Sequence, residues 1–189
     1  MQTLICDRNP YKKGKNLQTD GFTILELLLF LCGAGIVLVL LVPIYQAARE
    51  KATQRSTIAD MAQWARAISA YTADHGAAPS NPRGRLNFRK PILKELTPYF
   101  STLRWCDWWG DVYWVWTGPG NDVYGFHTND ARDYMIASLG EDNAFENWSY
   151  DPAHPEAGFY RPAENKDYFK DIVLWNGQFV RRPEPERNR

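Results

Sequence analysis

The sequence predicts an α+β protein in which a long N-terminal α-helix, membrane-type in its first half and amphipathic in its second, packs on a small antiparallel β-sheet. Three observations predict it. Phe22 to Tyr45, FTILELLLFLCGAGIVLVLLVPIY, is almost wholly apolar, and at about 1.5 Å per residue it is long enough to cross a hydrocarbon core of roughly 30 Å. Beyond it, Ile58, Met61, Ala65, Ile68 and Thr72 recur at spacings of three and four, with Arg49, Glu50, Lys51, Arg55, Asp60 and Arg66 supplying polar surface. After residue 105 come short aromatic and β-branched runs separated by Gly, Pro and Asn, ending in Asn176-Gly177 between two apolar runs. That dipeptide is the strongest short-range hairpin signal.

The chain divides accordingly into a basic leader (1–21), an apolar helix (22–45), a head (46–180) that includes the second half of the long helix, and a tail (181–189). In the leader Arg8, Lys12, Lys13 and Lys15 outnumber Asp7 and Asp20, which favours retention on the cytoplasmic side. The apolar run contains one charge, Glu26, and a carboxylate there costs on the order of 3 kcal/mol, so it needs a partner or a task. Pro43 forfeits one helical hydrogen bond and sets a bend point. Counted from Phe22 to Asp74 the helix would be about 80 Å long, stopping at Asp74-His75-Gly76, where glycine takes the left-handed cap. The plain alternative is a signal-anchor helix with a chance glutamate.

With 189 residues in all, there is room for one head of about 120 to 140 residues and no second core. Cys106 is the only thiol of the head, so no intrachain disulfide can form there. Asn81 to Arg85 reads as a solvated basic loop and Pro91 to Leu96 as a short helix. Five tryptophans fall between Trp105 and Trp116. Asp107-Trp108-Trp109-Gly110 makes a turn, and the strand Val112–Trp116 puts Val112, Trp114 and Trp116 on one face and Tyr113 and Val115 on the other. This aromatic density is read as sheet packing on the long helix and on a neighbouring subunit. The competing reading is stacking against sugars or bases. Tyr134 to Ser138 is the next strand, Leu139 to Asn143 an acidic turn, and Asp171–Trp175 with Gln178–Val180 the closing hairpin. The tail RRPEPERNR is expected on the surface or disordered.

Catalytic signatures are missing: there is no GxSxG, HExxH, Walker A, GxGxxG or CxxC pattern, and His75, His127 and His154 stand at unrelated loop positions. No enzyme is expected. Twenty-two basic and twenty-two acidic residues balance, leaving no global field for nucleic acid.

The junction Gly21-Phe22, with Thr23, Glu26 and Pro43, resembles the type IV prepilin signal, in which cleavage precedes the apolar run. Tyr71, Asp74, Gly76 and Pro79, then Asp107, Trp109, Gly110, Tyr113 and the Gly118–Gly120 turn, then Ser138, Leu139, Gly140 and Asp142, resemble the major pseudopilin of the type II secretion system. Trp108 stands in that pattern's proline position and Asn143 in its second glycine position. The resemblance implies a pilin-type fold, cleavage after Gly21 and N-methylation of Phe22 by a prepilin peptidase. It also implies a single-pass location in a bacterial inner membrane with the head in the periplasm. Assembly into a helical homopolymer with minor pseudopilins and an inner-membrane platform would follow, Glu26 pairing with the amine of Phe22. A structural Ca²⁺ is implied too, held by the Leu139 carbonyl, Asp142 and a later acid, Asp167 or Asp171. A type IV pilin of a surface fibre shares these arguments. A membrane-anchored, tryptophan-rich polysaccharide-binding module is the alternative from another class.

Overall fold

The computed structural model describes residues 22–81, 83–86, 89, 91–100, 104–162 and 165–184, with the backbone alone at 165 and 166. Gly21, the rest of the leader and the last tail residues lie outside them. The architecture is α+β: a long N-terminal helix and a small mixed sheet.

Helix α1, Ile24–His75, runs for 52 residues. Thr23 starts it, its Oγ1 accepting the N–H of Glu26 at 3.2 Å, a side-chain cap for one of the helix's orphan donors. Gly76, at φ 77°, ends it and donates to the Thr72 carbonyl at 2.8 Å, as a glycine cap does. Pro43 lies inside the helix, where it has no N–H to offer the preceding turn.

Packing divides the chain at Pro43. In the first unit the described residues are one apolar helix, exposed along its length, and α1 is long and apolar enough to cross a membrane. The second unit, residues 44–189, is the head. Its part of α1 buries Gln54, Thr57, Met61, Trp64, Ala65, Ala67 and Ile68, one stripe at helical spacing.

The strands are β1 (Trp114–Thr117), β2 (Asp122–Val123), β3 (Phe126–His127), β4 (Tyr134–Ser138), β5 (Phe159–Tyr160), β6 (Ile172–Trp175) and β7 (Gln178–Pro183). The main sheet has the order β1-β4-β6-β7-β5, and β2 with β3 forms a separate hairpin. Its pairings are antiparallel except one: β5 runs parallel to β7, with Phe159 opposite Arg182 and Tyr160 opposite Pro183. The sheet is therefore mixed rather than antiparallel, because the long segment after β4 returns through a 3-10 turn at Pro155–Gly158 and meets β7 in the same sense. A second correction concerns the tail: β7 continues through Arg181 to Pro183, and Arg181 is buried. Strand periodicity carries its side chain inward, where charge is tolerated because it is paired.

Alternation sorts the side chains onto two faces. Tyr113, Val115, Ile136, Ile172 and Leu174 join Met61, Trp64 and Ile68 of α1 in the main core, together with Ile92 and Leu96 of α2 (Pro91–Leu96). On the opposite face Trp116, Met135, Ala137 and Val173 pack with Tyr124. Burial of each large apolar side chain contributes about 1.5–3 kcal/mol before conformational entropy is counted. The closing hairpin turns on Asn176 and Gly177, φ 44° and 86°, the positive angles of a type I′ turn. Asn176 Oδ1 accepts the N–H of Tyr134 at 2.8 Å, tying this turn to β4.

Candidate functional site

Two features of the chain bear on function: the apolar segment and the loops at the ends of the sheet. In the apolar segment Phe22, Ile24, Leu25 and the residues that follow are largely exposed, Phe22 at 74% and Ile24 at 85%. Glu26 lies one turn inside α1 as its only acid there. An exposed apolar surface of this extent marks a lipid or protein contact.

The motif residues divide between the two ends of the β1–β4 pair, Asp107 with Ser138 at one and Pro79 with Thr117 at the other. Asp107 is fully buried. Its Oδ1 accepts the N–H groups of Trp109, Gly110 and Asp111 at 3.0, 3.0 and 2.9 Å, and its Oδ2 accepts the Ser138 hydroxyl at 2.7 Å. One carboxylate thus builds the tryptophan turn and joins it to the end of β4. Burial nevertheless holds its pKa above the ordinary carboxylate value, outweighing the hydrogen bonds from Ser138 and the turn. At the end of α1, Tyr71 stacks on His75, Asp74 accepts the Tyr99 hydroxyl at 2.9 Å, and the Pro79 carbonyl accepts the Thr117 hydroxyl at 2.5 Å.

The tryptophans do two jobs. Three indole N–H groups fasten the turn region to α1: Trp64 to the Arg104 carbonyl at 2.8 Å, Trp108 to Asp60 at 2.8 Å and Trp109 to Glu50 at 2.9 Å. Trp114 and Trp116 instead stack on each other on the outer sheet face, 5.5 Å between centroids. Phe145 packs edge-on to Trp114 at 4.9 Å and Tyr124 edge-on to Trp116. This pair is roofed by the chain's own aromatics.

The residues named for calcium lie on adjoining segments but face different partners. The Glu141 N–H donates to the Tyr168 carbonyl at 2.9 Å, and Gly140, at φ 72°, lies so close that a Cβ there would stand 2.6 Å from that same oxygen. Leu139 is buried among them. Asp142 is exposed and accepts the Ala144 N–H at 3.2 Å. Asp167 pairs with Lys170 at 2.6 Å. Asp171, wholly buried, accepts on Oδ2 from the Tyr124 hydroxyl at 2.5 Å and the Glu146 N–H at 3.0 Å. Its Oδ1 has no hydrogen-bond partner among the described residues. Burial raises its pKa to about 6, the Glu146 charge adding to the effect while the Tyr124 and Glu146 hydrogen bonds and Arg181 oppose it. Among the described residues no three acids, histidines or cysteines gather at metal-binding spacing. A Ca²⁺ takes six to eight oxygens; of the acids named for it, Asp167 and Asp171 are engaged with other partners and Asp142 faces solvent.

Sequence reasoning missed Tyr124, Glu146 and Arg181, the residues that organise Asp171. Glu146 and Arg181 are separated by 35 positions on a loop and a terminal strand, and neither belongs to a motif or a periodic run. Gly125 is the local cue: it closes the two-residue turn between β2 and β3, where Tyr124 and Gly125 take φ 53° and 78°.

Compared with family models, curated proteins and solved structures, the chain gives no match.

Proposed function

We propose that the protein is a filament subunit of the type IV pilin class, closest to the major pseudopilin of type II secretion. The observation that carries this reading is the exposed apolar half of α1 with a lone glutamate one turn in, directly after a Gly-Phe junction. Cleavage at that junction frees the amine of Phe22. The segment first anchors the subunit in the inner membrane, then packs with its copies in the filament interior, where Glu26 pairs with a Phe22 amine and sets axial register. The head forms the filament surface and does no chemistry. A prepilin peptidase, minor pseudopilins and an inner-membrane platform are the partners.

A surface type IV pilin uses the same devices, and the motif run Tyr71, Asp74, Gly76, Pro79 supports the secretion form. The polysaccharide reading draws less support, since the stacked pair Trp114 and Trp116 lies beneath Phe145 and Tyr124. Mass spectrometry of the mature protein tests the proposal: the expected species begins at N-methylated Phe22, and an intact leader on the membrane-resident protein would sink it.

A further inference from the structure

The segment between β4 and β5, which carries Phe145 and Trp148 over the outer sheet face, is held there by aromatic contacts and by a charged knot. Glu146 Oε2 accepts from Arg181 Nε at 2.8 Å, from Arg181 Nη2 at 2.6 Å and from the Asp171 N–H at 3.0 Å. In return the Glu146 N–H donates to Asp171 Oδ2. The loop and the start of β6 are thus reciprocally bonded, and the guanidinium of β7 closes the knot. Arg181 is 7% exposed and its planar head lies 4.9 Å from the Trp148 ring centre and 5.6 Å from that of Tyr160. A guanidinium so placed gains from both ring faces and from the carboxylate. Beside it Lys170 neutralises Asp167 and lies 4.7 Å from the Tyr160 ring.

We propose that Arg181, seconded by Lys170, is a built-in cation that latches the loop between β4 and β5 to the sheet, doing in this head the cross-linking that a divalent ion would otherwise do. The donor chemistry argues for this division of labour. Glu146 and Asp167 are already charge-compensated, Asp142 faces solvent, and a Ca²⁺ drawn toward Asp171 would meet the fixed positive charge of Arg181 a single carboxylate away. The head is therefore folded without calcium. This inference rests on the head's contacts alone and stands or falls separately from the filament reading.

The test uses the full chain in detergent micelles, melted with excess EGTA and then with excess calcium chloride, beside Arg181→Met, Arg181→Lys and Glu146→Gln. The wild-type midpoint should move by less than about 1 °C in either solution, while Arg181→Met should lower it by roughly 5–10 °C. Arg181→Lys should keep the fold, yet speed amide exchange across 141–158 severalfold with β4 and β6 unchanged. If Arg181→Met does not fold, the paired exchange Arg181→Met with Glu146→Leu removes both charges, and it should fold and ignore calcium. A wild-type midpoint that falls in EGTA or rises with calcium would overturn the proposal. So would Arg181→Met melting with the wild type, or Arg181→Lys leaving exchange in the loop untouched.

Discussion

At the scale of single residues, Asp107 organises the most for its size. Three backbone N–H groups and the Ser138 hydroxyl converge on it in a fully buried position. Asp107→Ala strands those donors and should cost about 3 kcal/mol or more. Asp107→Asn keeps the Oδ1 acceptor and turns an amide toward the Ser138 oxygen, so it should cost far less at neutral pH. The comparison has a pH signature. Because the folded pKa lies above the ordinary value, the unfolded chain releases this proton first. The stability that Asp107 contributes is therefore complete below about pH 4 and declines as pH rises through the folded pKa. Thermal melts across that window should show the wild type losing ground to Asp107→Asn as pH rises. A constant difference would mean that the carboxyl is not shifted.

At the scale of elements, the parallel pairing of β5 with β7 depends on close backbone approach. A Cβ at Gly158 would stand 1.9 Å from the Val180 carbonyl oxygen, so Gly158→Ala must push the strands apart. Exchange of the Glu184 amide, which donates to the Tyr160 carbonyl at 2.8 Å, should speed at least tenfold, while amides between β4 and β6 keep their protection. The sequence declared the elements that carry a local signal. The end of α1 follows from Gly76, α2 from Pro91, β4 from its apolar run, and the last hairpin from Asn176-Gly177. What it hid are features created by contact. The two-residue strands β2, β3 and β5 are too short for a period. The inward turn of Arg181 makes sense only once Glu146, Trp148 and Tyr160 surround it. The calcium expectation named Leu139, Asp142 and Asp167 or Asp171, and the residues that bind Asp171, Tyr124 and Glu146, belong to no motif.

At the scale of the whole molecule, the chain separates at Pro43 into a unit that exposes its apolar surface and a unit with its own two-sided core. A fragment of residues 44–189 should remain soluble without detergent and melt within about 3 °C of the head in the full chain, as followed by far-ultraviolet circular dichroism. Aggregation of that fragment, or a much lower midpoint, would show that the head needs the apolar helix for its stability. The order of strands carries a further consequence, for biogenesis. The apolar half of α1 is made first, whereas the core around Met61, Trp64 and Ile68 must wait about a hundred residues for Ile172 and Leu174 of β6 to complete it. A chain that stops before β6 leaves β4 unpaired on one side and the core around Trp64 incomplete. The C-terminal hairpin, the last part of the head to be made, is therefore what completes both the sheet and the core.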